Sequence, residues 1–160
     1  MKKSINEINL HIKNFLQTQN ECINEIQQNT HEIDEIIKMI ISARKNKKTI
    51  FTMGNGGSGS TASHFVSDLQ KTVIVKNENR IKAISLVDNI PVILAWSNDV
   101  SFDKIFEEQL KNQIEKNDIV IAFSGSGKSK NIINALKIAK KMGAKCIGFT
   151  GKNGGSFNSV

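Results

Sequence analysis

From residue 49 onward the chain alternates short apolar, β-branched runs with longer segments of helical period, and this alternation constrains the fold more than any other feature. Residues 49–53, 81–86, 118–123 and 145–149 read as strands, and their near-continuous apolar character predicts burial on both faces. Residues 58–71, 89–96, 102–115 and 128–142 carry helical spacing. A strand, a helix and then another strand, repeated, is the pattern of a parallel sheet with helical crossovers. The predicted fold is α/β, a three-layer, doubly wound parallel sheet that places its ligands at the carboxyl ends of its strands.

Two helices come first. Residues 4–29 set Ile5, Ile8, Ile12, Phe15, Cys22 and Ile26 at three-four spacing, broken by Gln19, and residues 31–46 set Ile33, Ile36, Ile37, Ile40 and Ile41 on one side. Such near-heptad stripes suit the chain's own domain or a partner subunit. Residues 1–48 thus read as a helical segment packing on the domain and on partner subunits, and 49–160 as the ligand-binding part of what is overall one domain. No internal repeat, low-complexity tract or linker divides it.

Composition narrows the function classes. At 160 residues and 39% hydrophobic, the chain can bury one proper core. It has no apolar run of membrane-spanning length, and its polar, lysine-containing start is unlike a signal peptide, so the reading is cytoplasmic with no membrane partner. The net charge is +7, but the lysines are scattered, Tyr is absent and Trp96 stands alone, which leaves no stacking platform for nucleic acid. The charge fits solvated faces and attraction for a small anion. Cys22 and Cys146, far apart in sequence, read as reduced thiols.

Two loops supply the chemistry. Gly54-Asn55-Gly56-Gly57-Ser58-Gly59-Ser60 and Ser124-Gly125-Ser126-Gly127-Lys128-Ser129 each follow a strand and open a helix. Glycines let backbone N–H groups approach an anion, a helix N-terminus offers free donors and partial positive charge, and serine hydroxyls add donors. The pair reads as a phosphate cradle. Gly54, Gly56 and Gly59 also satisfy the dinucleotide pattern, but two helices precede the strand and no acidic residue clearly ends the next one, although Asp88 lies close. The second loop ends like a Walker A motif, yet its required first glycine falls on Ala122.

In the helix after the first loop, Ala62, Phe65, Val66 and Leu69 form the inward stripe, leaving His64 and Asp68 one turn apart on the other face. An imidazole and a carboxylate so spaced can share a divalent metal or a proton, or can be an ordinary exposed pair. Asn98 and Asp99 can reach sugar hydroxyls or simply end a helix.

Taken together, Gly54 to Ser58, His64-Phe65, Asn98-Asp99, Phe102 to Leu110, Ser124 to Ser129, Thr150-Gly151-Lys152 and Gly154-Gly155 resemble the sugar isomerase (SIS) family, most closely its phosphoheptose isomerase branch. The resemblance implies a flavodoxin-like fold and a homotetramer with active sites between subunits. It implies aldose–ketose isomerisation through an enediol, with sedoheptulose 7-phosphate as substrate and heptose for lipopolysaccharide or capsule as the outcome. Asn55, Gly56, Gly57, Ser58, Asn98 and Asp99 would contact substrate, and Ser124, Gly125, Ser126 and Ser129 would hold its phosphate. His64 would be a zinc ligand, and Asp68 a metal ligand and the acid-base group.

Two departures accompany the resemblance. Asp68 stands where the family has a glutamate, so its carboxylate is set back by about an ångström. The chain also stops at Val160, before the strand and helix that in the family carry a glutamine or similar ligand and a catalytic histidine, and His11 and His31 lie in the N-terminal helices. A non-catalytic phosphosugar-binding or adaptor protein of the same family, including the type that binds a replication initiator, is the alternative.

Overall fold

A computed structural model describes residues 5–151 and 154–157. The chain divides into two compact units, residues 1–38 and 39–160. Helix α1, Ile5–Gln28, and helix α2, Thr30–Lys45, are separated only by Asn29, whose side-chain amide donates to the Glu25 carbonyl at 2.8 Å. The apolar stripe read from the sequence is present on α1, yet none of its residues is buried, and Ile5, Ile12 and Phe15 are each at least half exposed.

In the second unit the alternation of periods becomes four parallel strands, β1 (Thr49–Gly54), β2 (Lys82–Ser85), β3 (Ile119–Ser124) and β4 (Lys145–Thr150), in the order β2-β1-β3-β4. Successive side chains on a strand face opposite ways, so the sheet carries two apolar surfaces. Phe51 and Met53 of β1 with Val120 and Ala122 of β3 share one cluster with Leu110 of helix α5 (Glu107–Gln113) and Ile132, Ala135, Leu136 and Ala139 of helix α6 (Lys130–Lys141). On the other surface Thr52 donates its hydroxyl to the Ala62 carbonyl of helix α3 (Gly57–Ser67) at 2.9 Å. Helices thus cover both faces, as the doubly wound reading requires.

Several details depart from the sequence reading. Burial on both faces holds for β1 and β3 but not for β2 and β4, which are the edges of the sheet, and Ile84 and Phe149 are 37% and 40% exposed. The helical reading of 102–115 splits into a 3-10 turn, Phe102–Lys104, and α5. Ser101 accepts from the Asp103 N–H at 3.0 Å to start that turn, and Ile105 and Phe106, which join it to α5, are both buried. Helix α4 runs Ile90–Asp99, longer than the predicted 89–96; Asn89 caps its start by accepting from the Val92 N–H at 3.4 Å. At the end of α3 the backbone widens into a π-turn, Asp68–Thr72, in which the Val73 N–H reaches the Asp68 carbonyl at 3.2 Å. Cys22 and Cys146 are free thiols.

Candidate functional site

The winding of the sheet reverses between β1 and β3. From β1 the chain passes through α3 to β2 on one side, while β3 lies on the other, and the crevice outside such a reversal is where open α/β sheets take ligands. Gly54 pairs in register with Phe123, so the loops after β1 and β3 leave the sheet level with each other.

Each loop owes its shape to glycine at particular points. A Cβ on Gly54 would lie 2.3 Å from the Ser58 carbonyl oxygen, so only glycine lets β1 turn this tightly into α3. Gly127 has φ +60° and would press a Cβ within 2.5 Å of the Gly154 carbonyl oxygen. In the second loop Ser124, 6% exposed, accepts from the Gly127 N–H, and Ser126 accepts from the Lys128 N–H, both at 3.2 Å. A third loop supports it from behind. The Gly151 N–H donates to Gly125 at 3.1 Å and the Ser156 N–H to Gly127 at 2.9 Å. Lys152 of that loop falls outside the described residues.

Neither α3 nor α6 is closed by a side-chain cap: Gly56 has none to offer, and Ser129 makes no capping bond. Helix α4, capped by Asn89, is the contrast. At the head of α3 the Gly57 N–H, and at the head of α6 the Lys130 and Asn131 N–H groups, are therefore left for an anion beside the positive ends of both dipoles, whereas the Ser58 and Gly59 N–H groups donate to the Asn55 carbonyl at 3.0 and 3.3 Å.

A contact the sequence reading missed ties the two loops together. The Asn55 and Asn131 side chains exchange two hydrogen bonds, at 3.0 and 2.9 Å, and Asn131, 2% exposed, also accepts from the Ile132 N–H at 2.9 Å. The available signal was a polar residue at the head of the inward stripe of α6, beside Ile132, Ala135, Leu136 and Ala139.

A cleft of about 700 Å³ opens beside the first loop, a size that suits a small molecule. Asn55, Gly56, Ser60, Ser63, His64, Ser67 and Asp88 give it a polar side, and Val87, Ile93, Phe102, Ile105 and Phe106 an apolar wall. Of the residues expected to contact substrate or metal, Asn55, Gly56 and His64 line this cleft, with Gly54, Gly59 and Ser60 of the same loop. Gly57 and Ser58 stand in the first turn of α3, and Ser124, Gly125, Ser126 and Ser129 form the neighbouring loop rather than the cleft wall. Asn98 and Asp99 sit in the exposed last turn of α4, where the Asn98 amide donates to the Asp99 carboxylate at 2.8 Å.

Asp68 also stands outside the cleft lining. One carboxylate oxygen accepts from the Thr72 hydroxyl at 3.1 Å, and the other is 3.5 Å from His64 Nε2, an ion pair when the imidazole is protonated. The pair offers one nitrogen and one oxygen donor, both suited to zinc, but a closed zinc site takes four ligands, and among the described residues no third His, Cys, Asp or Glu joins them.

Fold and site together define a doubly wound α/β protein with a crevice flanked by two glycine-serine loops where its sheet reverses. Residues 14–151 match the SIS domain model, and the chain belongs to the SIS domain family. It is 36% identical over 150 residues to the phosphoheptose isomerase of Aliarcobacter butzleri, covering 93% of this chain and 78% of that one. It is 37% identical over 132 residues to a probable phosphoheptose isomerase of Thermoplasma acidophilum, covering 82% and 72%. The solved phosphoheptose isomerase of Francisella tularensis superimposes with a TM-score of 0.86 at 28% identity, over 99% of this chain and 81% of that one.

Proposed function

We propose that the chain is an aldose–ketose isomerase that converts sedoheptulose 7-phosphate to D-glycero-D-manno-heptose 7-phosphate, for heptose in lipopolysaccharide or capsule. The observation that carries this reading is the pair of glycine-serine loops set side by side at the sheet reversal, each opening an uncapped helix. The phosphate would take N–H donors from Gly56 and Gly57 and hydroxyls from Ser58, Ser124, Ser126 and Ser129. The sugar would extend into the cleft, with Asn55 on its hydroxyls and Asn98 and Asp99 reaching it from α4. Isomerisation moves a proton between adjacent carbons through an enediol, and Asp68 is the carboxylate assigned to that transfer. A zinc ion, when bound, would take His64 Nε2 and an Asp68 oxygen and polarise the sugar carbonyl.

The exposed stripe of α1, with Ile8, Ile12, Phe15 and Ile26, supports a homotetramer, which sedimentation analysis would detect. The free thiols fit a reducing cytoplasm. No helix among the described residues is long and apolar enough to cross a membrane.

One observation favours a second reading, a phosphosugar-binding module without turnover. Asp68 is engaged by Thr72 and His64 and does not line the cleft. The test is isomerisation of sedoheptulose 7-phosphate, with and without zinc, beside calorimetric binding of the same compound. Turnover that is lost in Asp68→Asn supports the isomerase; binding without turnover selects the module; absence of both sinks the phosphosugar reading.

A further inference from the structure

Resting on the phosphosugar reading above, we infer that Asp88 accepts hydrogen bonds from the far hydroxyls of an extended sugar phosphate and so sets the chain length the cleft prefers. Asp88 follows β2 at the carboxyl edge of the sheet and lines the cleft together with residues of α3. Its backbone is fixed on both sides: its N–H donates to Ser85 at 3.4 Å, and its carbonyl accepts from the Ile90 N–H at 3.1 Å. Its carboxylate, in contrast, has no hydrogen-bond or ion-pair partner among the described residues, whereas Glu107 and Asp118 are each held by two.

Charge and spacing make this carboxylate a hydroxyl reader. It repels a phosphate, which the glycine-serine loops attract, so the two ends of the crevice have opposite preferences and orient a ligand that carries phosphate at one end and hydroxyls at the other. Along the sheet edge the order is Asp88 after β2, Asn55 after β1 and Ser124 at the end of β3. Two strand spacings, about 10 Å, separate β2 from β3, the strands that lead to the first and the last of them. A long open-chain sugar phosphate bridges that span, and a three-carbon one does not. The path between is polar: Ser60, Ser63 and Ser67 recur at helical spacing on the cleft side of α3, with hydroxyls unengaged among the described residues.

The experiment compares sedoheptulose 7-phosphate with glycerol 3-phosphate by calorimetry on the wild type, Asp88→Ala and Asp88→Asn, with thermal melts of all three. Asp88→Ala should weaken the heptulose phosphate at least tenfold and change glycerol 3-phosphate less than twofold, with Asp88→Asn intermediate. Equal weakening of both ligands, or no weakening of the longer one, overturns the inference and leaves the phosphosugar reading standing. A wild type that binds neither compound overturns both. Should Asp88→Ala lower the melting temperature, Asp88→Asn, which keeps the side-chain shape, decides by the same ratio.

Discussion

Replacing Asn131 tests whether the two loops act as one site. Asn131→Ala removes both bonds of the amide pair, each contributing about 0.5–1.5 kcal/mol, and leaves the half-buried Asn55 amide without its partner at a cost of about 1–3 kcal/mol. The loss should come to about 3 kcal/mol, which for a chain of this size lowers the melting temperature by roughly 6–12 °C. Because association couples to stability, the melts must be run at one protein concentration. In a double-mutant cycle Asn55→Ala and Asn131→Ala should be non-additive by about 1–2 kcal/mol, since they delete the same pair. Asn131→Asp keeps the acceptor, loses the donor and places negative charge beside two helix N-termini, so it should weaken phosphosugar binding more than it weakens the fold. A melting shift below about 2 °C for Asn131→Ala, or additivity within about 0.5 kcal/mol, would refute the idea that this pair holds the loops in register.

Three further outcomes follow from the same geometry. Ser124→Ala with Ser126→Ala should cut phosphosugar affinity at least tenfold by calorimetry, because each lost bond to a charged group contributes on the order of 1.5–3 kcal/mol; unchanged affinity would remove the phosphate-loop assignment. Gly127→Ala forces a Cβ to within 2.5 Å of the Gly154 carbonyl oxygen at positive φ, whereas Gly57→Ala meets nothing within 4 Å, so urea midpoints should fall for the first substitution and hold for the second. Burial pushes the Glu107 carboxyl pKa up, but bonds from Lys104 at 2.8 Å and Lys111 at 2.9 Å outweigh it and hold the group below its ordinary value. A lowered folded-state pKa contributes stability above the unfolded pKa and loses it as pH falls through the folded value. Glu107→Gln should therefore destabilise at pH 7 and destabilise progressively less as pH falls through and below the ordinary carboxylate range, and a cost that does not change with pH would contradict the assignment.

The parallel α/β architecture was legible because its signal is local. Apolar runs such as 118–123 and the stripe Ile132, Ala135, Leu136, Ala139 announce strand and helix through their own periods, and glycines such as Gly54 mark the turns between them. The same local chemistry announced two glycine-serine loops at the carboxyl ends of strands and the one-turn spacing of His64 and Asp68, which the structure keeps at 3.5 Å. Strand order was decided elsewhere. That β2 and β4 are edges with half-exposed faces, and that β1 and β3 lie side by side, depends on which helix covers which surface, a long-range matter that no single run encodes. From that order came the Asn55–Asn131 pair across 76 positions of sequence, and Asp88 brought into the lining of the cleft. The local chain determined what each segment could bind, while packing of the sheet determined which segments could bind it together, because backbone period acts over a few residues and the crevice exists only between strands distant in sequence.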